Sequence, residues 1–380
     1  MFHKKQPDLN WENPKLREEI YKMMNWWLDQ GIAGFRMDVI DLIGKIPDQK
    51  IKENGPMLHK YLQEMNEATF GHRDSMTVGE CWGATPEIGR LYTDPARKEL
   101  SMIFQFEQIQ LDKKPGGQRW DLKPLYLPDL KCVFSKWQTE LEGHGWNSLF
   151  WNNHDQPRVV SRFGDTSSKE TWEKSAKMLA TAQYFLQGTP YIYQGEELGM
   201  TNVEFKNIGE LRDIESINSY HQYVEVEKMF TPEEMLRFIN KSSRDHARTP
   251  MQWNDLENAG FSDAEPWIKV NQNYKWLNAQ AQITDENSIF NYYKQMISIL
   301  KENEVVQFGD YQEYYEDSNE VYVYKREYDG KKLFVLSNFT AKEVTYDKTL
   351  FEAEAKVLLG NYNDLIRGKL RAYEAVVLVV

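Results

Sequence analysis

Apolar positions in the first part of the chain recur at helical spacing and then gather into short runs. In NPKLREEIYKMMNWWLDQG, Leu16, Ile20, Met23, Met24 and Trp27 fall on one helical face. Asn13 is placed to cap that helix, Pro14 to open it and Gly31 to stop it. The run GFRMDVI at 34–40 follows at once and reads as a strand. A helix opened by Pro56 carries Leu58, Leu62 and Met65 on its buried side and leads to a second strand, SMTVGECWG. TPEIGRLYTD reads as a short helix capped by Thr85, and SMIFQFEQ as a third strand. A helix at 129–142 feeds a fourth, NSLFWNNHDQPR, and a helix at 170–187 feeds a fifth, TPYIYQGEELGM. Strands alternating with helices indicate an α/β fold, a parallel sheet with crossover helices.

Beyond this the texture changes. Residues 202–275 are irregular and polar, with one helix expected at 231–242, and a last helix is expected near 286–303. EVYVYKREYDGKKLFVLSNFT then alternates as a hairpin does, with Asp329-Gly330 at the turn. The expected division is a catalytic α/β domain over 1–305 and a small antiparallel β-domain over 306–380.

Composition narrows the function classes. A net charge of −12 argues against nucleic acid and anionic membranes as partners. Aromatic residues make up 13% of the chain, which suits a packed core and also suits carbohydrate, whose C–H faces stack on rings. Two cysteines, Cys81 and Cys132, are too few for a disulfide scaffold and fit a reduced, cytoplasmic protein. The Asn338-Phe339-Thr340 sequon is then a chance occurrence. No apolar run approaches the roughly 20 residues of a membrane span.

Polar groups sit at the C-terminal ends of the expected strands: Asp38, Glu80, Glu107 with Gln105, and His154-Asp155. In a parallel α/β sheet those ends share one side, where chemistry is done. Two carboxylates about 5 Å apart cleave a glycosidic bond with retention, one as nucleophile and one as acid/base. Arg36, two residues from Asp38 in a strand, shares its face and favours its ionised form. Glu80, beside Cys81-Trp82, lies against apolar surface that favours a proton donor. Asp155 is suited to gripping hydroxyls, with His154 as a neighbouring donor. Plainer readings stay open: a structural Arg36–Asp38 ion pair, a helix-capping Glu80, and a loop turn at His154-Asp155. Zinc is disfavoured because His154 has no second histidine at ligand spacing.

QPDLNW, GFRMDVI, TVGECWG and FWNNHDQPR, in that order, resemble the conserved blocks of the α-amylase superfamily, glycoside hydrolase family 13. GTPYIYQGEELGMTN and ARTPMQW narrow the resemblance to its oligosaccharide α-glucosidase branch, which includes oligo-1,6-glucosidases and dextran glucosidases. The resemblance implies Asp38 as nucleophile, Glu80 as acid/base and Asp155 as transition-state stabiliser. It implies Arg36, His154 and Arg248 as substrate-binding residues, with an ion pair to Asp245 or Asp213 as the plainer role for Arg248. Val39 is similar to members specific for 1,6 linkages, and Trp82 would offer a stacking face; as plain residues they are a strand valine and a core tryptophan. The implied activity is release of glucose from non-reducing ends of α-1,6-linked gluco-oligosaccharides. α-1,4-Glucosidase and trehalose-6-phosphate hydrolase remain as alternatives, the latter because Lys45 stands near the site. GELRDIES lacks the arginine- and aspartate-rich pattern of isomerising relatives.

The family barrel has eight strands, and five are expected here. QPDLNW follows the third strand and an inserted subdomain in the family, and here occupies residues 6–11. Residues 1–305 are therefore expected to be strands four to eight of a partial (β/α)8 TIM barrel, with 1–10 the end of that subdomain. The calcium site of many relatives would lie in the absent part, so no cofactor or metal is expected. A separate N-terminal fragment becomes a candidate partner, and an inactive, poorly stable remnant an open alternative.

Overall fold

A computed structural model describes residues 5–116, 120–351 and 355–380. The α/β part runs α1 (Pro14–Asp29), β1 (Gly34–Met37), α2 (Leu58–Ala68), β2 (Met76–Glu80), α3 (Pro86–Thr93), β3 (Met102–Phe104), α4 (Leu127–Leu141), β4 (Ser148–Leu149), α5 (Val159–Phe163), α6 (Lys169–Tyr184) and β5 (Thr189–Pro190). These are barrel strands and helices in the order the sequence implies, apart from the short helix α5, which the sequence did not announce. Residues 1–4, the start of the expected subdomain remnant, lie outside the described residues. The chain forms two compact units: residues up to Glu107 with Lys136–Ser148, and Gln108–Ser135 with Leu149–Val380.

In the first unit β1, β2 and β3 form a parallel sheet in that order, with Arg36 opposite Val78 and Glu80 opposite Phe104. Gly34 opens β1 at φ 150°, where a Cβ would stand 1.8 Å from the Met76 carbonyl oxygen. The Asn13 side chain accepts the Lys15 N–H at 3.1 Å, capping α1 as expected. The buried face of α1 differs from the expected one. Tyr21, Met24 and Leu28 point inward, while Met23, Trp26 and Trp27 are exposed. Their i, i+3, i+7 spacing is the helical stripe, rotated by about one position.

Strand β1 is shorter than the sequence suggests. It ends at Met37, because Val39 adopts φ 38°, ψ 46° and throws the chain into a 3-10 turn at Ile40–Leu42. The alternation of Arg36, Asp38 and Ile40 therefore fails, and Ile40 is buried instead. It packs on Gly79 of β2, where any Cβ would come within 2.7 Å of Ile40 Cγ2. β4 and β5 are likewise two-residue strands, joined where the Tyr191 N–H donates to the Leu149 carbonyl at 2.8 Å. Pro190 removes one ladder donor from β5.

The second unit continues with α7 (Ile214–Tyr220), α8 (Pro232–Ser242), α9 (Asp245–Arg248), α10 (Ala279–Thr284) and α11 (Ile289–Glu302). It ends with β6 (Asp310–Tyr314), β7 (Val321–Tyr328), β8 (Lys331–Asn338), β9 (Val344–Thr345), β10 (Lys356–Gly360), β11 (Lys369–Leu370) and β12 (Ala375–Val379). The main sheet is antiparallel, in the order β10-β12-β8-β7-β6. The turn between β7 and β8 is Asp329-Gly330, both at positive φ, as the hairpin requires. Both faces of this sheet are buried. Tyr322, Tyr324, Leu333 and Val335 join α6 and α11 in one core, while Val321, Val323, Phe334 and Leu336 form another. Asn338 is fully buried and donates to the Lys342 and Arg371 carbonyls, so the sequon is closed to modification.

Candidate active site

In the first unit the sharp turn after β1 brings two carboxylates onto one arginine. Arg36 Nη1 meets Asp38 Oδ1 at 2.5 Å and Arg36 Nη2 meets Glu80 Oε2 at 2.9 Å. Burial works against the Arg36 charge, but hydrogen bonds and charge from Asp38 and Glu80 outweigh it, and the guanidinium is held more firmly protonated. The two acids differ sharply in setting. The Asp38 side chain is 75% exposed and that of Glu80 only 6%. Glu80 is met by two further donors: the Val39 N–H at 3.1 Å to Oε2 and the Trp82 indole N–H at 3.1 Å to Oε1. Among the described residues, the donors around Glu80 are Arg36, Val39 and Trp82, all of which the sequence singled out.

Left-handed backbone at a β-branched residue costs of order 1–3 kcal/mol and concentrates at functional sites. Val39 is such a residue, and its conformation aims its N–H at Glu80. Trp82 is no core residue: it is 41% exposed, and its ring stacks on Phe106 at 3.9 Å between centroids and 10° between planes. Glu107 is otherwise engaged, accepting from Lys136 Nζ at 2.6 Å and the Trp137 indole at 2.5 Å.

Sequence reasoning passed over Asp41. It is almost fully buried, and its Oδ2 accepts the Trp82 backbone N–H at 3.0 Å. Burial pushes its carboxyl up to about 6; the Gly83 and Trp82 N–H groups pull the other way, while Glu53 and Glu80 add to the rise. An acid in the apolar run DVIDLIG was the available signal.

In the second unit Asp155 lies among arginines. Arg248 Nη2 donates to Asp155 Oδ1 at 2.5 Å, and Arg248 Nε to the His154 carbonyl at 3.1 Å. His154 Nε2 stands 3.6 Å from Asp155 Oδ2. So Arg248 pairs with Asp155, and not with Asp245 or Asp213. The arginine that holds Asp213 is Arg244, through Nε at 3.0 Å and Nη2 at 2.7 Å, and Arg244 also reaches to 3.6 Å from Asp155. Asp245 instead accepts the backbone N–H groups of Arg212 and Asp213. Arg244 was passed over because its partners are remote in sequence.

Residues 1–309 match the family described as the α-amylase catalytic domain. The chain belongs to the α-amylase family. Members of this glycoside hydrolase family share the TIM barrel with an antiparallel C-terminal β-domain, and the elements above are laid out accordingly. Among curated relatives, the chain is 49% identical over 398 aligned positions to an oligo-1,6-glucosidase of Parageobacillus thermoglucosidasius, covering 99% of this chain and 70% of the relative. It is 50% identical to a glucan 1,6-α-glucosidase of Streptococcus pneumoniae, over 95% of this chain and 66% of the relative. Among solved structures, the trehalose-6-phosphate hydrolase of Bacillus licheniformis superposes with a TM-score of 0.92 at 43% identity, covering 99% of this chain and 70% of that one.

Proposed function

We propose that the chemistry carried here is retaining hydrolysis of α-1,6-linked gluco-oligosaccharides, with glucose released from the non-reducing end. The observation that carries this is the Arg36 fork spanning Asp38 and Glu80. Two carboxylates on one guanidinium suit a retaining pair, about 5 Å apart, better than an inverting pair at about 6.5–9.5 Å. Exposed Asp38 is the nucleophile that attacks the anomeric carbon, and the glycosidic bond breaks as Glu80 gives its proton to the leaving oxygen. Glu80 then takes a proton from water, which displaces the sugar from Asp38. The resemblance assigns the steadying of the oxocarbenium-like charge to Asp155 and sugar contacts to His154, Arg248, Val39 and Trp82. No organic cofactor enters these steps.

The 1,6 linkage is supported by the names of two of the relatives above. Lys45 speaks against the trehalose-6-phosphate reading. Its ammonium is largely buried, bound to Asp8 Oδ1 at 2.8 Å and facing the Leu42 carbonyl, and so is not free to bind a phosphate. The test is isomaltose hydrolysis by the purified 380-residue chain, followed by proton NMR. Initial release of α-glucose supports the proposal. Initial β-glucose, or turnover of trehalose-6-phosphate in preference to isomaltose, refutes it.

A further inference from the structure

Behind Glu80, the loops that follow β1 and β2 are linked by hydrogen bonds through Trp82, Asp41 and Asn54. Trp82 uses its indole N–H on Glu80 and its backbone N–H on Asp41, and lays its ring on Phe106. The segment carrying Asp41 is itself tied down. The Asn54 N–H donates to the Asp41 carbonyl at 3.0 Å, Asn54 Nδ2 to the Gly83 carbonyl at 3.2 Å, and the Tyr92 hydroxyl to Asn54 Oδ1 at 2.9 Å. The loop after β1 and the loop after β2 are thereby joined at Asp41–Trp82 and at Asn54–Gly83.

We infer that Asp41 is a positioning residue: by fixing the Trp82 backbone it holds the indole N–H on Glu80 and so sets the acid's orientation. A half-exposed indole on a strand-end loop has rotamers that lead away from Glu80, and a bond at its own backbone is the direct way to limit them. The role needs an acceptor at Oδ2, not a charge. Asp41→Asn retains that acceptor and Asp41→Ala removes it.

This inference rests on the hydrolase reading for its consequence, but its first readout does not. Trp82 emission is isolated among the 12 tryptophans by subtracting the spectrum of Trp82→Phe. In Asp41→Ala the Trp82 emission is expected to shift to the red and to be quenched more readily by acrylamide, while Asp41→Asn keeps the wild-type spectrum. If Asp41→Ala does not fold by circular dichroism, Asp41→Ser serves, its hydroxyl being too short to reach the Trp82 amide. An unchanged Trp82 spectrum in the Ala or Ser variant overturns the inference. Isomaltose kinetics follow. A misplaced catalytic group costs on the order of 10²-fold, so kcat is expected to fall that far in Asp41→Ala with KM little changed. Asp41→Asn should restore it to within a few-fold, and Asp41→Ala should add nothing once Trp82 is Phe. Full additivity of the two losses overturns action through Trp82. Absence of glucose release from the wild-type chain defeats the function proposal alone, and the fluorescence result still decides the role of Asp41.

Discussion

Removing the Asp213 carboxylate tests whether the arginine network around Asp155 is anchored from below. Asp213 is buried, and its oxygens carry two bonds from Arg244, two from the Glu215 and Ser216 backbone at the start of α7, and one from the Ser216 hydroxyl. Asp213→Ala loses a helix cap, about 1 kcal/mol. It also strands Arg244. Breaking a buried pair costs about 3–5 kcal/mol, but Arg244 is 23% exposed and keeps Asp155 and Glu215 nearby, so about 2–3 kcal/mol is expected. The sum is about 3–4 kcal/mol, which for a unit of this size lowers Tm by about 6–16 °C. Asp213→Asn retains the cap and should lose about 1.5–3 kcal/mol. Scanning calorimetry measures both, and Arg244→Met with the double variant completes a cycle in which the losses do not add. A Tm for Asp213→Ala within about 2 °C of wild type would refute the reasoning. The pH dependence carries a sign as well. Burial alone would raise the Asp213 carboxyl, but bonds from Arg244 and Ser216 prevail and hold it below the usual carboxylate range. A depressed native pKa stabilises above the unfolded value near 3.9 and is lost as pH falls through the native one. The acid-induced drop in Tm should therefore be shallower in Asp213→Asn.

Burial pushes Glu196 up to about 8, against hydroxyl bonds from Tyr184 and Tyr293. An acid raised in the native state is protonated there while ionised in the unfolded chain, so stability falls as pH rises from about 4.5 to about 8, by at most about 1.4 kcal/mol per pH unit. Glu196→Gln should flatten this slope in thermal melts between pH 5 and 8; an unchanged slope would count against it. Asp38→Asn, at an exposed side chain, should abolish isomaltose turnover while leaving the circular dichroism melt unchanged. Near-normal turnover would remove Asp38 as nucleophile. Val39→Ala should raise maltose hydrolysis relative to isomaltose, and a constant ratio of the two kcat/KM values would show that Val39 does not read linkage.

The sequence by itself determined whatever depends on neighbours along the chain. Helix caps at Asn13 and Thr85, the α/β order and the β7–β8 hairpin with its Asp329-Gly330 turn are local or periodic signals, and they were legible. So was the meeting of Arg36 with Asp38, only two residues apart. What tertiary structure alone decided is every contact whose partners lie far apart. Strand β1 stops at Met37 because Ile40 finds space over Gly79, which no alternation of residues announces. Arg36 reaches across to Glu80, Arg248 takes Asp155 while Arg244 takes Asp213, and Lys45 is bound by Asp8. Charged groups choose partners by distance and burial in the folded chain. A sequence shows which charges are present, and only packing settles which of them are close enough, and dry enough, to pair.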